Sequence, residues 1–88
     1  MEVEFAASFL RDLKAIKVHS ILKNVKNTII ELEKAENLSG IQNVKYIVQS
    51  KIYYRIRIQD YRIGLKYELN KITLIRCLNR KDIYKKFP

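Results

Sequence analysis

Apolar positions follow two periods along this chain: three to four residues in the first half and two in the second. A brief alternation at residues 2–6 (EVEFA) suits a short strand. Phe9, Leu10, Leu13 and Ile16 then share one helical face behind Ser8, a residue type that caps helix N-termini. Leu22, Val25, Ile29 and Leu32 repeat the spacing behind Ser20, with Lys23, Lys26, Glu33 and Glu36 on the other side. The pattern predicts two amphipathic helices, over 8–17 and 20–36, closed into a hairpin by a tight turn. The NLSG stretch at Asn37–Gly40 ends the second helix.

From Val44 the texture changes. Residues 52–58 (IYYRIRI), 61–69 (YRIGLKYEL) and 71–79 (KITLIRCLN) are short, rich in Tyr and Ile, and alternate. They predict an antiparallel meander of at least three strands, with residues 44–49 adding a weak edge. The end, RKDIYKKFP, reads as one helical turn or an irregular tail. The fold class is therefore α+β: a single domain over 1–88, β-α-α-β-β-β, with the helical hairpin packed on one face of a twisted antiparallel sheet.

Parity sorts the first two strands of the meander into faces. Tyr54, Ile56 and Ile58 share one side, and Tyr61, Ile63, Leu65, Tyr67 and Leu69 form the matching apolar side of the next strand. These face the helices. The opposite side carries Tyr53, Arg55, Arg57, Arg62, Gly64 and Lys66. A turn centred on Gln59–Asp60 sets Arg57 directly across from Arg62 and Arg55 across from Gly64. Neither turn residue takes positive φ easily, so an odd-length loop with a bulge is the competing register. Like charges directly opposite each other destabilise a sheet. Three guanidiniums on one small face suit an anion, because the planar fork of Arg matches phosphate oxygens. The plain alternative is a solvated basic face, with Glu68, Asp60 or Asp82 relieving the repulsion. Gly64 leaves a gap that admits a ligand or another backbone. A turn at Asn70–Lys71 would put Arg76 on the helix-facing side, in a structural role. Tyr84, four residues after Arg80, is either a core anchor with a wet hydroxyl or a group turned back toward the arginines. Cys77 reads as packing, and His19, between the helices, as a surface or capping residue.

Charge sharpens this picture. Residues 1–44 hold six basic and six acidic residues, whereas residues 45–88 hold twelve basic and three acidic, so the whole +9 excess lies in the second half. One part of the fold thus faces an anionic partner. A chain of 88 residues builds one thin core. It has no run of 18 apolar residues, so no membrane partner is expected, and its acidic N-terminus is unlike a signal peptide. One cysteine excludes an internal disulfide and fits a cytoplasmic location. One Cys and one His cannot build a Cys/His zinc site, and two glycines leave no Gly-rich phosphate loop. No cofactor is expected.

The combination of Tyr53-Tyr54-Arg55-Ile56-Arg57-Ile58, Asp60-Tyr61-Arg62-Ile63-Gly64 and Asn79-Arg80-Lys81-Asp82-Ile83-Tyr84 resembles the RelE/ParE superfamily of type II toxin–antitoxin toxins. The resemblance covers nearly the whole chain and extends to the opening VEFAASFLRDL. It implies a compact β-α-α-β-β-β toxin domain of the RelE-like branch, whose members cleave mRNA in the ribosomal A site. The ParE-like branch, which poisons DNA gyrase without being a nuclease, is the alternative, as is an attenuated toxin that only binds its antitoxin. The family's basic and phenolic positions fall on Arg55, Arg57, Arg62, Arg80 and Tyr84. Lys45, Lys51, Tyr53, Lys66, Lys81 and Lys85 surround them as expected RNA-binding residues. RelE-type enzymes often carry Lys at the first two positions. Arg effectively cannot lose its proton, so Arg55 and Arg57 suit charge stabilisation rather than base catalysis. Many relatives have Gly at the Gln59 position and Gly-His at Leu78-Asn79, so a histidine acid–base candidate is missing here.

The resemblance thus implies an endoribonuclease that uses the RNA 2′-OH as nucleophile and needs no metal. Its expected partners are a cognate antitoxin, mRNA on the ribosome and ribosomal RNA. The antitoxin is expected to be short, with an acidic or amphipathic segment that wraps the helices and covers the basic face.

Overall fold

The computed structural model describes residues 1–47 and 50–88. In chain order the elements are β1 (Glu2–Phe5), α1 (Ala7–Ala15), α2 (His19–Lys34), a 3₁₀ turn (Leu38–Gly40), β2 (Val44–Tyr46), β3 (Tyr53–Ile58), β4 (Tyr61–Glu68), β5 (Lys71–Asn79) and α3 (Arg80–Lys86). The expected α+β class holds. The edge expected over 44–49 is present as β2; its positions 48 and 49 lie outside the described residues.

The sheet order is β1-β5-β4-β3-β2. The sheet is mixed rather than antiparallel, because β1 pairs with β5 in parallel, from Glu2 opposite Lys71 to Phe5 opposite Leu74. The remaining pairs are antiparallel. One face carries the core: Ile56, Ile63, Leu65, Ile72, Leu74 and Cys77 pack against Phe9 of α1 and Ile21, Val25 and Leu32 of α2. Each fully buried aliphatic or aromatic side chain contributes about 1.5–3 kcal/mol. α3 packs on β4 and β5 from the other side, anchored by buried Ile83 and followed by buried Phe87.

Neither serine caps its helix. The N-cap residues are Ala6 and Val18, with no side-chain cap. The Ala6 N–H bonds the Leu74 carbonyl, so β1 runs straight into α1, and the Ser8 hydroxyl donates instead to the Ile75 carbonyl at 2.5 Å. His19 is exposed at the start of α2.

The β3–β4 register follows the Gln59–Asp60 turn: Arg57 opposes Arg62 and Arg55 opposes Gly64. Gln59 takes φ 53, a left-handed conformation that costs a non-glycine residue about 1–2 kcal/mol. The β4–β5 turn lies at Leu69–Asn70 (φ 53 and 59), one residue earlier than the sequence suggests. Leu69 is therefore 98% exposed in the turn rather than on the apolar face. A register shift between Gly64 and Leu65 then sets Arg76 opposite Gly64.

Arg76 has a structural partner. Its Nε and Nη2 donate to the two carboxylate oxygens of Asp12 at 2.8 and 3.1 Å, and the Cys77 N–H donates to Asp12 Oδ2 at 2.9 Å. Asp12 thus ties α1 to β5. The hydrogen bond to Asp12 raises the Arg76 pKa above its ordinary value. Burial, with Asp12 adding to it, pushes the Cys77 thiol up to about 12.

Candidate active site on the arginine face of the sheet

Pairing across the sheet and one return of the chain build the site. β3 contributes Arg55 and Arg57, and β4 contributes Arg62, because alternation points these side chains away from the core. β2 adds Lys45, whose Cα pairs with Arg55. α3 supplies Tyr84. Arg55, Arg57, Arg62 and Tyr84 line one pocket of about 220 Å³ together with Asn43, Val44 and Lys45.

Among the described residues, each of the three guanidiniums is held without a carboxylate. Arg62 Nη1 donates to the Gln59 and Tyr61 carbonyls at 2.7 and 2.9 Å. That contact bridges the left-handed turn residue and leaves Nε and Nη2 of Arg62 without a partner among the described residues. Arg57 Nη2 donates to Asn43 Oδ1 at 3.3 Å, and its backbone N–H donates to the Asn43 carbonyl at 3.0 Å. The Arg55 guanidinium carbon lies 4.5 Å from the centroid of the Tyr84 ring. Such a cation–π contact fixes ring and cation relative to each other. Tyr84 is 64% exposed, so its hydroxyl is reachable. Among the described residues no carboxylate lies within 4 Å of Arg55, Arg57, Arg62 or Arg80. Glu68 pairs instead with Lys66 at 3.5 Å.

The gap expected above Gly64 is filled. A Cβ on Gly64 would meet the Phe87 ring at 2.7 Å, so the glycine seats the end of α3 rather than a ligand. Phe87 also packs edge-on against Tyr53, with centroids 5.5 Å apart. These contacts hold α3 down on the sheet and so set where Tyr84 stands. Asn79 caps α3 by accepting from the Lys81 N–H at 3.1 Å.

Arg80 stands apart from the pocket. Its backbone N–H bonds the Asp60 carbonyl at 2.8 Å. It lines an adjoining cleft of about 670 Å³ that shares Asn43, Arg57 and Arg62 with the pocket. Of the expected RNA-binding set, only Lys45 lines the pocket; Lys51, Lys66, Lys81, Lys85 and Tyr53 lie outside it. Asn43, which takes φ 64 and orients Arg57, escapes the sequence reading, as does Asp12. For Asp12 the available signal is a carboxylate one turn after Phe9, at the border of the apolar stripe. Among the described residues no three His, Cys, Asp or Glu side chains group as a metal ion would require, and no helix is long and apolar enough to cross a membrane.

The arrangement concentrates positive charge and hydrogen-bond donors around a concave surface with one phenol at its rim. It suits an anion with several oxygens, such as a phosphodiester.

No protein-family profile matches the chain. It is similar to Toxin RelE3 of Methanocaldococcus jannaschii, with 39% identity over 89 residues and full coverage of both chains. It also matches a chain of the solved RelB–RelE antitoxin–toxin complex from Methanococcus jannaschii. That match has TM-score 0.82 and 38% identity over 97% of this chain and 99% of the other. The YoeB dimer from Staphylococcus aureus shares the fold at TM-score 0.72 and 17% identity, over 91% of this chain and 97% of its own.

Proposed function

The chain belongs to the RelE family, type II toxins of the mRNA interferase kind, and we propose that it is a ribosome-dependent endoribonuclease whose active site is the arginine pocket. The observation that carries this reading is the gathering of Arg55, Arg57, Arg62 and Tyr84 around one cavity, with no carboxylate bound to the guanidiniums among the described residues.

In the proposed reaction the RNA 2′-oxygen attacks the adjacent phosphorus, and the bond from phosphorus to the 5′-oxygen breaks. The products are a 2′,3′-cyclic phosphate and a 5′-hydroxyl. The Tyr84 phenol oxygen is assigned to accept the proton of the 2′-OH as its own phenolic proton passes to water. Negative charge grows on the non-bridging oxygens, where Arg55, Arg57 and Arg62 stabilise it. Arg80 offsets charge on the departing 5′-oxygen from the adjoining cleft, and that oxygen takes its proton from water. Such a small site gains from a partner that holds the RNA in an attack geometry, which is the role assigned to the ribosome. Lys45, Lys51, Tyr53, Lys66, Lys81 and Lys85 are assigned to wider RNA contact, with binding that weakens as salt rises.

A cognate antitoxin completes the reading, as in the RelB–RelE complex of the relative. The groove between the helices supports a wrapping partner: it is apolar, about 330 Å³, and lined by Phe5, Leu13, Leu22, Ile29 and Ile30 among others. The test is a purified translation reaction with the mRNA mapped by primer extension. Cleavage within ribosome-bound codons is expected, ending in a 2′,3′-cyclic phosphate and blocked by 2′-deoxy substitution at the scissile nucleotide. Intact mRNA alongside stalled gyrase supercoiling would overturn the reading.

A further inference from the structure

The cleft beside the arginine pocket has a different chemistry from the pocket itself. Its far wall is α2, where Asn24, Asn27 and Glu31 recur at i, i+3 and i+7 and so form one stripe. The near wall is the β3–β4 turn, with Gln59 and Asp60. Thr28 also lines it, but its hydroxyl is used, donating to the Asn24 carbonyl at 2.9 Å. The side chains of Asn24, Asn27 and Glu31 have no hydrogen-bond partner among the described residues. Asparagine is a poor helix former, because its side chain competes for backbone hydrogen bonds. Two asparagines inside a sixteen-residue helix run against local preference, which is the kind of departure expected where function overrides stability.

Electrostatics narrows the occupant. Arg57, Arg62 and Arg80 share the lining with Glu31 and Asp60. The guanidiniums attract the RNA backbone, while the two carboxylates disfavour a further phosphate on the side where they stand. A nucleobase satisfies both conditions. Single-stranded RNA is read through hydrogen bonds to splayed base edges. Amide side chains pair with adenine, and a carboxylate accepts from the exocyclic amine of cytosine. Adenine, cytosine and guanine carry such an amine, and uracil has only carbonyls at those positions. The volume, about 670 Å³, lies within the range of small-molecule sites.

We propose that this cleft is a base-selective subsite, holding a nucleotide next to the scissile phosphate and favouring a base with an exocyclic amine over uracil through Glu31, Asn24 and Asn27. The inference rests on the RNA-cleaving reading of the adjoining pocket. Its test uses binding rather than cleavage, so that the two fail separately. The 2′-O-methyl trinucleotides UAU, UCU, UGU and UUU, which cannot be cut, are titrated into the isotope-labelled full chain and followed by NMR. UUU is expected to bind at least fivefold more weakly than the best of the others, with shifts in the Asn24 and Asn27 side-chain amides. Glu31→Ala and Asn27→Ala are expected to bring the four affinities within twofold, whereas Arg62→Ala weakens all four alike. Equal affinities for the wild-type chain, shifts confined to β3, β4 and α3, or no binding at all would overturn the subsite. The nuclease reading stands or falls on the ribosome assay.

Discussion

Arg62 and Arg76 lie on neighbouring strands, yet they meet opposite fates. Arg76 is clasped by both oxygens of Asp12, and the same carboxylate accepts from a backbone N–H. Its charge is spent on holding α1 against β5. Arg62 faces Arg57 across the sheet and, among the described residues, bonds only to carbonyls, which orient it without neutralising it. A fold that can pair an arginine as fully as Arg76 leaves Arg55, Arg57, Arg62 and Arg80 without carboxylates among the described residues. The contrast separates two jobs for one residue type: fastening elements together and, in the proposed function, binding an anion. Variants in the first group are expected to lose stability and keep chemistry. Those in the second lose chemistry and keep stability.

The largest expected effect is on the chemistry side. Tyr84→Phe removes the proposed proton acceptor and keeps the ring over which Arg55 sits. Single-turnover cleavage on programmed ribosomes is expected to fall by about 10²–10⁴-fold, the span typical of general-base removal. The thermal midpoint is expected to stay unchanged.

On the fastening side, Asp12→Ala strands a half-buried guanidinium and a backbone N–H. Chemical denaturation is expected to show a loss of about 2–4 kcal/mol. Cleavage per folded molecule is expected to stay as in the wild type. Loss of cleavage with full stability would blur the two classes.

Gly64→Ala tests a point where the two jobs touch. The added methyl runs into the Phe87 ring, which must move and take α3 with it. Overpacking of this kind costs about 1–3 kcal/mol. Because α3 carries Tyr84, cleavage is expected to drop together with stability, unlike either pure class.

The last effect is read from pH and touches stability alone. Burial lifts the Cys77 thiol to about 12 from an ordinary value of 9.0, so the folded chain keeps a proton that the unfolded chain releases. The stabilisation is therefore complete below about pH 9 and is lost as pH rises toward about 12, with a slope of up to about 1.4 kcal/mol per pH unit. Cys77→Ala is expected to flatten that part of the curve, and the difference between the two unfolding profiles isolates the thiol from other alkaline groups.

These contrasts were partly legible in the sequence. Alternation over IYYRIRI and YRIGLKYEL assigns the faces, and a two-residue turn at Gln59–Asp60 puts Arg57 opposite Arg62 as parity implies. The place of Arg76 was not readable in the same way. An irregularity at Gly64/Leu65 and a turn at Leu69–Asn70 shift the β4–β5 pairing; Gly64 and Asn70 are residue types that suit a bulge and a left-handed turn, but they do not by themselves fix the register. Ser8 and Ser20 look like caps, but the parallel bonding of β1 carries the chain directly into α1 and leaves Ser8 to bond Ile75. Gly64 signals close approach, and only the fold reveals that the visitor is Phe87. Asn43 depends on a left-handed backbone that composition does not announce.

The most direct test is the single-turnover rate of Arg62→Ala on ribosome-bound mRNA, measured beside its unfolding free energy. Loss of one transition-state donor is expected to slow cleavage by about 10²–10³-fold. Relief of the Arg57–Arg62 confrontation is expected to leave the fold as stable as the wild type, or more stable by about 0.2–1 kcal/mol. A variant that cleaves at the wild-type rate, or that loses activity only because it unfolds, would contradict the account.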